Sequence, residues 1–139
     1  MVRRLITVVS VVLVFGGLVA VPSLALVPND PNFVDQWYAT LIGMESAWDV
    51  STGDPETVVA ILSTGVDESH PDFAGASFVP GKNIIVDGGD TGDSHGVGTE
   101  LAGLIAAQQD NGLAISGIAP GVSIMPVVIP CTSWCECDP

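Results

Sequence analysis

The chain has 139 residues, three basic and 16 acidic side chains, and a formal net charge of −13. That length allows one modest domain. So acidic a surface repels phosphates and anionic headgroups, which excludes nucleic-acid binding and suits solubility, high salt or bound divalent cations.

The first segment reads as a targeting sequence. Arg3 and Arg4 form a short basic start, residues 5–21 are an apolar run broken at Gly16-Gly17, and Ser23-Leu24-Ala25 fits a small-x-small cleavage site. Residues 1–25 are therefore expected to be a secretory signal, an uncleaved membrane anchor being the alternative. Its removal would leave Lys82 as the only base against all 16 acids. No later stretch is long and apolar enough to span a bilayer, so no membrane contact is expected after cleavage.

A lead-in segment follows, residues 26–57. Pro28-Asn29-Asp30-Pro31-Asn32-Phe33 is turn-rich, and residues 42–49 read as a short amphipathic helix ending near Thr52-Gly53-Asp54-Pro55. Trp37 and Trp48 are read as packing residues. Residues 58–62, Val-Val-Ala-Ile-Leu, are five apolar side chains in a row. This pattern predicts a parallel strand buried on both faces. It stops at Ser63-Thr64-Gly65, at the carboxyl edge where open α/β sheets build their sites.

A second strand is expected over residues 82–86, then a flexible acidic loop over residues 87–93. A helix is expected from Gly98, with Thr99 as its cap and Leu101, Leu104 and Ile105 on one face. A third strand is expected over residues 122–129. Strand, helix, strand in this order argues a parallel α/β unit with a right-handed crossover. Three strands are few for a sheet that needs both faces covered.

Cys131, Cys135 and Cys137 crowd the last nine positions. One local disulfide, or none, is the simplest reading. Zinc would need four ligands, with Glu136 or Asp138 as fillers. A nucleotide-binding α/β domain would need a glycine-rich phosphate loop after the first strand, which Ser63-Thr64-Gly65-Val66-Asp67 does not provide.

An ordered set of motifs resembles the subtilisin-like serine proteases (subtilases, peptidase S8), thermitase-like in its lead-in. The set is Ala47-Trp48-Asp49, residues 58–67, His70-Pro71-Asp72, Gly98-Thr99 with Ala102-Gly103, and Gly117 with Ala119-Pro120. The resemblance implies a partial three-layer α/β fold with a parallel sheet, incomplete on its carboxyl-terminal side. It spans residues 58–129 after the lead-in and leaves 130–139 as an unmatched cysteine-rich tail. It also implies a serine endopeptidase mechanism, in which Ser attacks, His takes the proton, and Asp orients and supports the imidazolium.

Aligned on Gly96, Gly98-Thr99 and Ala102-Gly103, the family's catalytic His position is Val97, and its second His is Glu100. The family's Asp position is Ser63. Valine cannot accept a proton, and serine cannot offer a charge. Loss of the aspartate's charge alone costs roughly 10⁴ in turnover in such triads. The Gly-Thr-Ser-Met-Ala nucleophile segment has no counterpart in the sequence. A secreted, truncated and inactive homologue is therefore expected, or else a non-catalytic module binding calcium, a peptide or a protein. His95 lies two residues from Val97, about 6 Å along an extended chain, too far to replace the base. His70 is read as a hydrogen-bonded turn residue. The family's calcium site would carry over to Asp30, Asp72, Gln108, Asn111, Leu113 and Ile115, whose carboxylate, amide and backbone oxygens suit Ca²⁺.

Overall fold

The computed structural model describes residues 27–130. The expected signal segment and Cys131, Cys135 and Cys137 lie outside them. Four strands make one parallel sheet: β1 (Val58–Ser63), β2 (Ser77–Phe78), β3 (Lys82–Asn83) and β4 (Ser123–Val128). β4 is central. β1 runs along one side of it in register from Val58 opposite Ser123 to Ser63 opposite Val128, and β2 and β3 pair with its other side. This is the expected parallel α/β arrangement, with one strand, β2, that the sequence did not announce.

The lead-in forms two helices instead of one, α1 (Trp37–Ile42) and α2 (Met44–Trp48). Gly43 between them has φ +70°, a left-handed turn that glycine adopts without steric cost and that stops α1. Phe33, Ala39 and Met44 form a small core under these helices. Trp48 packs on it, with its ring 5.9 Å from Phe33 and its indole N–H donated to the Ile118 carbonyl. Trp37 departs from expectation. It is 73% exposed, because α1 turns Ala39 inward and leaves Trp37 outside against the edge of Tyr38.

The main core joins the sheet to helix α3 (Val97–Ala106) through Ile61, Val66, Phe73, Ala102, Ala106, Val122 and Ile124. The face α3 presents is Gly98, Ala102 and Ala106, spaced by four, with Ile105 partly buried beside them. The expected stripe does not hold: Leu101 and Leu104 are exposed. Small side chains win because they let the helix backbone sit close on the sheet. At Gly98 a Cβ would collide with the Gly65 carbonyl oxygen and lie 3.2 Å from the Ser63 Cβ.

Two other expectations are corrected. β1 is not buried on both faces. Its residues alternate, Ile61 and Ser63 buried, Val58, Ala60 and Leu62 exposed, because no described element covers that side. The second strand ends at Asn83, since the Asn83 Oδ1 accepts the amides of Ile85 and Val86 at 2.9 Å and bends the chain away from the sheet.

Candidate functional site

The site is built where the carboxyl end of β1 meets the amino terminus of α3. Ser63, the last residue of β1, is buried, and its carbonyl accepts the Ile129 amide at 2.9 Å. Val97 opens α3, and the next residue, Gly98, lies against Ser63. The structure thus places Ser63 at the strand end and Val97 at the start of the helix packed against it, with Gly98 making the close approach. Neither side chain ionises.

The carboxylate that gathers the hydrogen bonds of this corner is Asp93. Its Oδ1 accepts the Thr64 hydroxyl at 2.6 Å and the amides of Gly96 and His95 at 2.9 and 3.0 Å. Its Oδ2 accepts the Thr99 hydroxyl at 2.6 Å and the Thr99 amide at 2.8 Å. Burial opposes its ionisation, but the hydrogen bonds from Thr64, Thr99 and the backbone outweigh that and hold the carboxyl well below the ordinary 3.8. Asp93, not Thr99, caps α3; Thr99 sits inside the helix and donates to it. The loop before it is also more tied than expected: the Thr91 carbonyl accepts the Val66 amide, and the Asp90 carbonyl accepts the Asn83 side chain. The sequence did carry a signal for Asp93, an acidic residue just before a helix start, where orphan amides need an acceptor.

His95 is exposed, and its Nδ1 lies 2.7 Å from the Ser94 hydroxyl. His70 behaves as read: its Nδ1 accepts the Asp72 amide at 3.3 Å and its ring meets Phe73 edge-on. A cleft of about 450 Å³ opens beside this corner, lined among others by Asp67, His70, Asp93, Thr99 and Glu100. Ser63 and Val97 are not in its wall. Hydrogen bonds from Ser69 hold the Asp67 carboxyl below its ordinary value.

A second polar cluster joins the lead-in to the loop after α3. Asp30 is buried and accepts the amides of Asp110, Asn111 and Gly112, each at 3.2 Å, and the Ser116 hydroxyl. Asp72, also buried, accepts the Asn111 side-chain amide at 2.8 Å and the Ile115 amide at 3.3 Å. Its carbonyl accepts the Gln108 amide. Five of the six expected calcium residues, Asp30, Asp72, Gln108, Asn111 and Ile115, thus enter this cluster's hydrogen bonds. Leu113 contributes its amide to the Asn111 Oδ1 at 2.8 Å. Among the described residues no three His, Cys, Asp or Glu side chains converge as a metal cluster. Two carboxylates and an amide are oxygen ligands of the kind Ca²⁺ takes, but here loop N–H groups and the Ser116 hydroxyl are directed at both carboxylates. In this arrangement Asn111 turns its N–H group toward Asp72, so coordination through its oxygen would require that amide to rotate.

A parallel sheet with a helix packed on one face, and Ser63 and Val97 at the strand end and helix start, defines the class: part of a parallel α/β fold. The model of the subtilase family, peptidase S8, matches residues 54–136, and the chain belongs to that family. The match runs past Pro130 into the cysteine-rich tail. Thermitase of Thermoactinomyces vulgaris is 38% identical over 101 residues, covering 72% of this chain and 36% of thermitase. Fervidolysin of Fervidobacterium pennivorans is 40% identical over 100 residues, covering 67% of this chain and 14% of that protein. A solved protease structure from Pseudoalteromonas arctica superposes with a TM-score of 0.61 at 31% identity, covering 75% of this chain and 39% of its own. The chain therefore spans about a third of thermitase and less of fervidolysin.

Proposed function

We propose that this chain is a proteolytically silent subtilase homologue, exported by its first 25 residues and steadied by calcium. The observation that carries the reading is the pairing of Ser63 and Val97 at the β1–α3 corner. A base there must hold a lone pair, and its supporter must hold a charge. An isopropyl group and a hydroxyl meet neither need. His95 does not substitute, since it is exposed and engaged with Ser94. A serine-directed fluorophosphonate tests this reading: no covalent adduct is expected on the native chain, and a stoichiometric adduct abolished by boiling would contradict it.

Asp30, Asp72 and Asn111, with the backbone carbonyls of Gln108, Leu113 and Ile115, are the residues proposed to hold calcium. The ion would supply positive charge between two buried carboxylates and fix the lead-in to the loop after α3. Millimolar calcium should raise the melting temperature by several degrees, and Asp72→Asn should remove the shift. An unchanged melting temperature would end the calcium part. A second reading, a module that binds a peptide or protein, is favoured by the 450 Å³ cleft at Asp67, His70 and Glu100. Export of a fusion to residues 1–25, with cleavage after Ala25 read by mass spectrometry, tests the proposed location.

A further inference from the structure

Of the four asparagines in the chain, Asn111 alone is followed by glycine. It lies in the loop after α3, where Asp30 and Asp72 meet. Its Oδ1 accepts the Leu113 amide at 2.8 Å, a bond that curls the side chain back over the Gly112 peptide. Its Nδ2 donates to the Asp72 Oδ1 at 2.8 Å. The Gly112 amide donates to the Asn29 Oδ1 at 2.9 Å and to the Oδ1 of the buried Asp30 at 3.2 Å. Gly112 is exposed, and it has no Cβ to screen its nitrogen. Asn83 gives the contrast. Its Oδ1 accepts the Ile85 amide in the same curl, but the next nitrogen belongs to β-branched Ile84 and donates to the Val128 carbonyl instead of a carboxylate.

We propose that Asn111 is a self-modifying residue, which the fold converts to aspartate or isoaspartate without a second enzyme. The Gly112 nitrogen attacks the Asn111 Cγ while its proton passes to Asp30. A carboxylate within hydrogen-bond reach of the proton it takes can act as general base. The Leu113 amide steadies the negative charge that develops on Oδ1. The Cγ–Nδ2 bond then breaks, and the proton taken from Gly112 departs on that nitrogen as ammonia. A five-membered succinimide ring remains. Water opens it at either carbonyl, giving aspartate or isoaspartate, and nothing is oxidised or reduced. The change sets a third carboxylate beside Asp30 and Asp72 and removes the N–H that Asp72 accepted. Its consequence for metal binding rests on the calcium reading: aspartate at 111 offers the ion an oxygen with no amide to rotate. The chemical step is independent of that reading.

The test incubates the full 139-residue chain without calcium at mildly alkaline pH. Peptide mapping by mass spectrometry follows each asparagine, and released ammonia is measured. Conversion is expected at Asn111 alone, at least about tenfold faster in the folded chain than in the same chain unfolded in guanidinium. Asn111→Gln should stay unconverted, because its longer side chain must close a six-membered ring. Asp30→Asn should lower the folded rate to the unfolded one. Circular dichroism reports whether that variant folds, and the comparison of folded with unfolded native chain decides the matter in either case. A folded rate no faster than the unfolded one, or equal conversion at Asn83, would overturn the self-modification. Millimolar calcium should slow the conversion by drawing Asp30 away from Gly112, and Asn111→Asp should bind calcium at least about tenfold more tightly than the native chain. Conversion as expected with no response to calcium would sink the calcium reading and leave the self-modification standing.

Discussion

At position 63 a hydroxyl stands in a buried corner where a carboxylate would need a cation beside it. Removing one member of a buried charged pair leaves the other uncompensated, which costs about 3–5 kcal/mol. Replacing both members avoids that cost, as Ser63 with Val97 does in the reading proposed above. Ser63→Asp alone should therefore lower stability by about 3 kcal/mol or more. Adding Val97→His should return part of it, measured as a coupling energy in urea unfolding. Additive losses would show that the two positions do not communicate. Asp93 is the opposite case, a charge kept because five donors surround it. Its folded pKa is depressed, so its contribution is fully present above the ordinary 3.8 and is lost as pH falls toward the folded-state value. Asp93→Asn should cost about 1–3 kcal/mol at neutral pH, because an amide has one acceptor oxygen for donors that now use two, and should flatten the stability profile below pH 4. An unchanged acid limb would contradict its role.

At the scale of elements, α3 shows how far the sequence could be read. Its existence and its place after the first strand followed from residues 98–108, but its docked face did not. Hydrophobic spacing pointed to Leu101 and Leu104, whereas close packing on Gly65 and Ser63 selected Gly98, Ala102 and Ala106. Periodicity reports apolar positions, and it does not report how near a backbone must come. Gly98→Ala should therefore destabilise by about 1–3 kcal/mol although alanine favours helices, because the methyl group meets the Gly65 carbonyl. A gain in melting temperature would show that β1 and α3 can separate cheaply. The second strand was overextended for a related reason: Ile84, Ile85 and Val86 are good strand residues, but the Asn83 side chain captures the amides a ladder would use. Of the candidate sites, positions 63 and 97 were read from the family motifs that flank them. The Asp93 hub was not singled out, since the Thr64 hydroxyl that completes it comes from the end of β1 and is brought there only by the fold.

For the whole molecule, charge and cover set the behaviour. The described residues hold a parallel sheet with one face on α3 and the other face of β1 bare, in a chain with a net charge of −13. That charge favours a chain that stays apart from its own copies. At the corner of β1 and α3 neither Ser63 nor Val97 offers the proton acceptor or the supporting charge that a triad needs. Incubation of the purified chain with a fluorogenic peptide library, with and without calcium, tests that claim most directly. No cleavage above the buffer rate is predicted at any pH from 5 to 10. Cleavage that persists through purification and disappears on His95→Ala or Ser94→Ala would contradict it.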